Sequence, residues 1–423
     1  MDGVDAQLSR IVDKLTRAAA DPGLLEAFGA RTHGFRLNPP LSESTVAAFE
    51  TEHDVVLPEG YRRFLLEIAD GGAGPSYGLL ELAEAYGEVA DCFTGYLAEP
   101  SPFVPGIAYS DDWWNRFSGQ QDRPDPLQGT LSVVHHGCTS YTQLVISGPG
   151  RGRLVAIDHN GVPAPYVLED PDFLTWYERW LDELLAGYNV DWFSDKLPGD
   201  EAILLGILSA DPSAERRARA ATSLQCLPRL SAAAIPTLAA AVADPSVLVR
   251  ATVLGCAWRS KIPIDAAART ALNDPDASVR AEAISVLRVL GTPDLAERAR
   301  ALFEDHDTEV TRQAMWALAE SGDLTVADLA PLVARPDPRT RASALYYLAE
   351  THGDATDLIA RAFADEQPQV RRQAIQTAEL RDDRVVLPLL QRRIRSETDT
   401  YVLANLHRVI SAWTDTPSTT RTS

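Results

Sequence analysis

The strongest constraint on this chain is a repeat with a period close to thirty residues in its second half. Asp244-Pro245 is followed by Val249-Arg250 and Val253-Leu254. The order returns as Asp274-Pro275, Val279-Arg280 and Ala283-Ile284, and then as Asp305, Val310 and Ala314-Met315. It returns again as Asp337, Thr340-Arg341 and Ala344-Leu345, and as Asp365, Val370-Arg371 and Ala374-Ile375. An earlier unit fits Asp211-Pro212, Arg217 and Ala220, and a degraded one fits Tyr401-Val402 and Leu406. From Ala283 onward the alanine column is spaced by 31, 30 and 30 residues. Self-similarity at this period marks stacked supersecondary units. Each unit reads as two helices. Asp-Pro is read as a helix start, with the aspartate capping free amides and the proline in the first turn. Val279, Ala283, Val286, Leu287 and Leu290 recur at helical spacing, and Gly291, Gly322 and Gly353 are placed to stop each helix. A second apolar helix follows each stop. One such pair cannot bury its apolar face alone, so the units must stack.

The pattern D-x-x-x-x-V-R-x-x-A-[I/L] resembles HEAT repeats of the short kind, over about residues 203–413. Thr311 departs from it where an arginine is expected, and the last unit lacks Asp-Pro. The resemblance implies that aspartate and arginine bond across neighbouring turns, making Arg250, Arg280, Arg341 and Arg371 a structural ladder. A phosphate-binding row is the alternative, and it is opposed by a charge of -4 over residues 200–423, where 30 acids face 26 bases. The same deficit opposes a likeness to the DNA glycosylases of this architecture. No His-Glu pair of the kind borne by its metal-dependent hydroxylases is present. Alignment places Ser285, Trp316, Tyr346 and Gln376 in one column, with Glu320 and Glu350 one turn beyond the aromatics. This is expected to form an aromatic patch with an acidic edge that binds a protein. Alternatively, Trp316 and Tyr346 fill gaps between repeats.

The first half has different punctuation. Helical spacing runs from Asp5 to Ala20, from Ser42 through Phe49, and from Pro58 through Ile68. Gly71-Gly72 breaks the third helix, and Tyr77 to Leu80 reads as a short strand. Strands are expected at 131–136, 141–147 and 153–158, the last two joined by Gly148-Pro149-Gly150-Arg151-Gly152. An amphipathic helix closes the domain over 171–185. Leu57-Pro-x-x-Tyr61-x-x-Phe64-Leu65, Gly71-Gly72 and Tyr77-Gly78-Leu79 resemble the SMI1/KNR4 family, the SUKH superfamily. So do Gly137-Cys138-x-x-Tyr141-x-x-Leu144-Val145 and Phe173-Leu174-x-Trp176-Tyr177-x-x-Trp180-Leu181. The likeness covers about residues 25–187. It implies a non-catalytic domain; bacterial members are commonly immunity proteins that bind secreted toxins, often nucleases, and fungal members regulate cell-wall synthesis and signalling. The stretch Cys92 to Gln128 departs from the family. It holds Asp111-Asp112-Trp113-Trp114, paired acids beside paired tryptophans that would suit a basic protein surface, unless the rings pack inward.

The expected fold is therefore an α+β first domain, a mainly antiparallel sheet with helices on one face, followed by an all-α HEAT-like solenoid. The boundaries are read as 1–190 for the first domain, 191–202 for a linker, 203–413 for the array and 414–423 for a disordered tail. Residues 1–199 hold 30 acids and 13 bases. Such an excess repels nucleic acid and membrane surfaces and attracts basic proteins, or serves solubility alone. Cys92, Cys138, Cys226 and Cys256 form no C-x-x-C pair and read as reduced, buried thiols. The acidic start is not a signal peptide, and no apolar run reaches the ~18 residues of a membrane span. A cytoplasmic location is expected. His135-His136-x-Cys138 with His159 is a weak zinc pattern, since strand alternation parts the two histidines. Neither a phosphate loop nor a G-x-S-x-G elbow is present. No catalytic residue, metal or cofactor is expected. The resulting reading is a protein that binds a basic protein partner, an immunity protein that neutralises a toxin. The alternatives are a regulatory or scaffold adaptor and, third, an enzyme on the repeat stack.

Overall fold

The computed structural model describes residues 3–87, 95–115, 126–160 and 163–415. The chain divides into two compact units, Met1–Ala234 and Ile235–Ser423.

In the first unit, helices α1 (Gly3–Ala19), α2 (Glu43–Glu52) and α3 (Glu59–Glu67) precede a four-stranded sheet. Ser42 caps α2 by accepting from Thr45 N, which is why the chain turns helical there. Strands β1 (Thr130–Gly137), β2 (Ser140–Val145), β3 (Leu154–Asp158) and β4 (Tyr166–Val167) form an antiparallel meander. Tyr77–Leu80 is not a regular strand. Leu79 makes single bridges to Gly72 and to Val134, which tie the glycine-rich turn to the sheet. Leu144, Val145, Leu154 and Val155 are all 0% exposed. Successive strand residues point to opposite faces, so the sheet centre is buried on both sides. Helix α4 (Phe173–Leu185) packs Phe173 and Tyr177 edge-on to Phe64 of α3. The Tyr177 hydroxyl donates to Ala73 O at 2.7 Å, joining the helix to the glycine turn. Residues 191–202, read as a linker, carry fully buried Phe193 and Leu197 at 2% exposure. Helices α5 (Glu201–Ala210) and α6 (Ala214–Gln225) complete this unit. Cys138 is exposed at the β1–β2 turn, unlike buried Cys256, so one thiol is not protected as expected. Cys92 lies outside the described residues, as does most of the tail.

In the second unit the longer helix of each pair is α7 (Val247–Arg259), α8 (Ala277–Leu290), α9 (Thr308–Ser321), α10 (Pro338–Leu348), α11 (Pro368–Leu380) and α12 (Thr400–Asp415). Neighbours in this series pack side by side. In Asp244-Pro245 and Asp274-Pro275 the aspartate does not cap the following helix directly, unlike Asp337 of Asp337-Pro338. Asp274 Oδ1 accepts from Asp276 N two residues on, and Asp276 is the cap of α8. The aspartate instead shapes the turn and receives an arginine from the preceding repeat. Arg250 forks onto Asp274 at 2.7 and 2.8 Å, and Arg280 onto Asp305 at the same distances. Arg341 meets Asp365 at 2.8 Å twice, and Arg371 meets Glu397 at 2.8 and 2.6 Å. Each arginine also donates to the carbonyl six residues before it, for example Arg280 to Asp274 O at 2.8 Å. With their donors spent inside the array, these arginines form a ladder and not a phosphate row.

One rung is absent, and both of its ends differ. Thr311 takes the arginine place. The structural register puts Arg335, not Asp337, in the aspartate place; Asp337 is the helix cap, accepting from Thr340 N at 2.7 Å. Thr311 Oγ1 lies 3.1 Å from Asp307 O and 3.4 Å from Asp305 O, and the Arg335 guanidinium turns to Phe303 O. Writing the rung back with T311R and R335D together is expected to stabilise the unit, while each change alone destabilises it. The double-mutant coupling, read from urea unfolding, should be about 1–3 kcal/mol. Additive single effects would show that the rung contributes nothing.

Candidate protein-binding surface

Side-by-side packing of the longer helices brings residues about thirty positions apart into register. Trp316 of α9 is 37% exposed and Tyr346 of α10 is 51% exposed. The Arg288 guanidinium, from α8, lies 3.9 Å above the Trp316 ring and pairs with Glu320 one helical turn on. The Arg288 side chain is only 6% exposed, so it braces the indole from beneath without covering it. Tyr346 meets Tyr347 edge-on with centroids 5.3 Å apart. Partial burial raises the Tyr347 phenol above its ordinary pKa, and nearby Arg312 opposes that rise. Glu350 is exposed and forms no ion pair among the described residues. Of the remaining column, Ser285 is buried and bonds Ala281 O, and Gln376 is half-buried. Trp316 thus both fills space against the preceding repeat and shows a face to solvent. Arg288 was missed by alignment because it sits three residues past the aligned column in the repeat before. The i+3 neighbour rule on a helix would have found it.

The segment 111–114 is arranged differently from its expectation as a displayed anchor. Asp111 opens a short helix, Asp111–Asn115, and Asp112 is exposed. Trp114 is 6% exposed and belongs to the core. Trp113 is half-buried, edge-on to Tyr109 at 4.8 Å and tilted against Phe103 at 5.5 Å. The cause is local. The Tyr109 hydroxyl donates to Pro102 O at 3.0 Å and accepts from Val104 N at 2.7 Å, so the loop folds on its own aromatic rings. Of this motif Asp112 faces outward.

The bases of the first unit are largely committed to ion pairs. Arg10 and Lys14 hold Glu178, Arg62 holds Glu43 and Glu50, and Arg179 holds Asp170 and Glu183. Burial works against the Glu178 charge, but hydrogen bonds from Arg10 and Lys14 bring its pKa to about 2. Exposed acids such as Glu52, Asp54 and Glu59 are left to dominate the field. His136 is buried and His135 half-buried, bonded to Thr142 Oγ1 and to Cys138 O respectively. Among the described residues no group of three or more His, Cys, Asp or Glu is placed to hold a metal ion. Nor is any helix there long and apolar enough to cross a membrane.

The family model for HEAT repeats matches residues 264–349 and 326–410, so the C-terminal region consists of HEAT repeats. No curated protein matches the chain at a significant level. Among solved structures, Escherichia coli YibA aligns at 18% identity over 50% of this chain and 93% of its own, with a TM-score of 0.36. Human deoxyhypusine hydroxylase aligns at 17% identity over 51% and 96%, with a TM-score of 0.26. A designed armadillo repeat protein aligns at 14% identity over 50% and 99%, with a TM-score of 0.28. None of these overlaps is close enough to speak to what the chain does.

Proposed function

We propose that this protein is a binding scaffold that holds another protein on the Trp316–Tyr346 face of its HEAT repeats. The observation that carries this is the pair of large aromatic side chains exposed in consecutive repeats, one of them braced by Arg288. Aromatic residues and arginine dominate the energetic centres of protein interfaces. Glu320 and Glu350 would form the polar rim.

A finer reading names the partner. The likeness of residues 25–187 to the SMI1/KNR4 family supports an immunity protein that neutralises a basic toxin, such as a nuclease, by stoichiometric blocking. The acid excess of the first unit supports the same reading, because many of its bases sit in ion pairs while carboxylates such as Glu52, Asp54 and Glu59 stay exposed. Long-range attraction would then set the rate of encounter and the aromatic face the lifetime of the complex. A second reading, a regulatory adaptor, is favoured by a different fact. The aromatic face lies on the nearly charge-balanced unit, so its partner need not be basic. No catalytic step is proposed for either unit, and the working place is the cytoplasm.

Co-expression with the product of the adjacent gene tests this. If that product halts growth alone, this chain restores growth and forms a complex with it. Replacing Trp316 and Tyr346 together by alanine weakens the complex by about 10–100-fold, or 1.4–2.8 kcal/mol. Association slows as salt rises from low to physiological levels. Absence of rescue and of a complex removes the immunity reading. A complex that ignores the double substitution removes the proposed face.

A further inference from the structure

The first unit contains a small pocket on the face of the sheet that carries Thr142 and Ala156. Its volume is about 200 Å³. That is below the roughly 300–1,000 Å³ of pockets that take whole small molecules, and it leaves room for one long side chain. Small residues make the space. Ala156 and Ser140 line it from the strands, and Ser194 from the short 3-10 helix Phe193–Asp195. The floor is rigid, because Thr142 Oγ1 bonds both the His136 ring at 2.7 Å and Ser194 Oγ at 2.6 Å, and the His136 ring also bonds Ser76 Oγ at 2.8 Å.

Three features of the rim point to a cation. Trp192 is 56% exposed and sits at φ 54°, ψ 38°, a left-handed conformation that is strained for a residue with a side chain. The fold therefore retains a strained backbone where it presents an indole to solvent. Two carboxylates, Asp158 and Asp195, share the lining with one base, Arg219. Arg219 is already engaged: its guanidinium stacks 3.7 Å over the Tyr166 ring, and Nη1 donates to Asp195 O at 2.9 Å. The two carboxylates differ in what they hold. Asp158 accepts from Thr139, Ser140 and Asn160. The Asp195 carboxylate accepts no hydrogen bond among the described residues, and its nearest base is Arg219 at 4.0 Å. Partial burial raises the Asp195 pKa, so its negative charge is under-compensated where it stands.

We infer that this pocket receives an arginine side chain projected by a protein partner, with the guanidinium forking onto Asp195 and lying against the Trp192 indole. A planar guanidinium satisfies both groups together, whereas a lysine ammonium satisfies the carboxylate alone. The inference rests on the reading of a basic protein partner and adds to it the residue type and the place of recognition. It also assigns a role to Trp192, within the stretch that the sequence presented as a linker.

The test uses the full chain and blocked single residues, so no partner is needed. Nα-acetyl-arginine methylamide is titrated by tryptophan fluorescence and by calorimetry, beside the lysine and glutamine derivatives. The arginine probe should bind at least tenfold more tightly than the glutamine probe, with lysine between them. D195N should weaken the arginine probe tenfold or more at an unchanged melting temperature. W192F should abolish most of the fluorescence response while the calorimetric signal survives, and W192A should weaken binding about tenfold. Equal binding of arginine and glutamine probes, or full binding by D195N, overturns the assignment. Such a result would leave the partner reading standing, since that is decided by growth rescue; a failed rescue with intact arginine binding would remove the toxin and keep the pocket.

Discussion

Replacing Arg371 by alanine is expected to cost the second unit about 3–5 kcal/mol of folding stability, the usual loss when one partner of a buried ion pair is removed. The Arg371 side chain is 6% exposed and that of Glu397 0%. Arg371 donates twice to the Glu397 carboxylate and once each to the carbonyls of Asp365 and Glu366. Alanine would leave a solvent-shielded carboxylate with one remaining base in Arg393 and the amides of Thr398 and Asp399. The acid side of the same rung gives a pH dependence. Burial alone would raise the Glu397 pKa, but Arg371, the Asp399 amide and Arg393 outweigh it and hold the group at about 2, below its ordinary 4.5. A depressed carboxylate contributes stability that is full above its unfolded pKa and is lost as the pH falls through the folded one. The rung's contribution should therefore be constant above pH 4.5 and vanish between 4.5 and 2. Urea midpoints at several pH values, wild type against R371A, read both effects. Parallel curves down to pH 2 would contradict the rung.

The second large effect lies in the first unit. Gly78→Ala should destabilise it by about 3 kcal/mol or more, from forced backbone strain and a broken bridge together. Gly78 has φ 105°, and a Cβ there would stand 2.3 Å from the carbonyl oxygen of Gly72. That oxygen accepts from Leu79 N at 2.7 Å, and Leu80 N donates to Val133 O at 3.0 Å, so the collision strikes the link between the turn and the sheet. Gly206 supplies the opposite case. It lies inside α5 with no atom within 4 Å of a built Cβ, and alanine there should gain about 1 kcal/mol of helix stability. Thermal melts followed by near-ultraviolet dichroism separate the two; a neutral G78A would refute the strain argument.

How much of this was legible beforehand depends on whether the signal was periodic. The repeat, the helical pairs and the arginine ladder are written at fixed spacing, so Arg250, Arg280, Arg341 and Arg371 were identifiable from the chain alone. Exposure in the aromatic column was half legible. Alignment placed Trp316 and Tyr346 together, but only the fold shows that Arg288 reaches under the indole from the repeat before. Trp113 and Trp114 show the limit of composition. Acids beside tryptophans read as a displayed motif, yet Tyr109 closes the loop and turns those rings inward. The pocket was not legible at all. It depends on strand pairing that sets Ala156 opposite Thr142, and on a turn that carries Trp192 to positive φ, neither of which leaves a mark at regular spacing.

The missing rung between Thr311 and Arg335 has a mechanical meaning for the second unit. A one-dimensional stack is held by nearest-neighbour couplings, and it unzips first wherever such a coupling is thinnest. Trp316 and Tyr346 stand on the two helices that flank this gap. An occupant gripping both rings would splint the array at the boundary its own chain leaves unstitched, so capture of a ligand and stiffening of the stack become a single event.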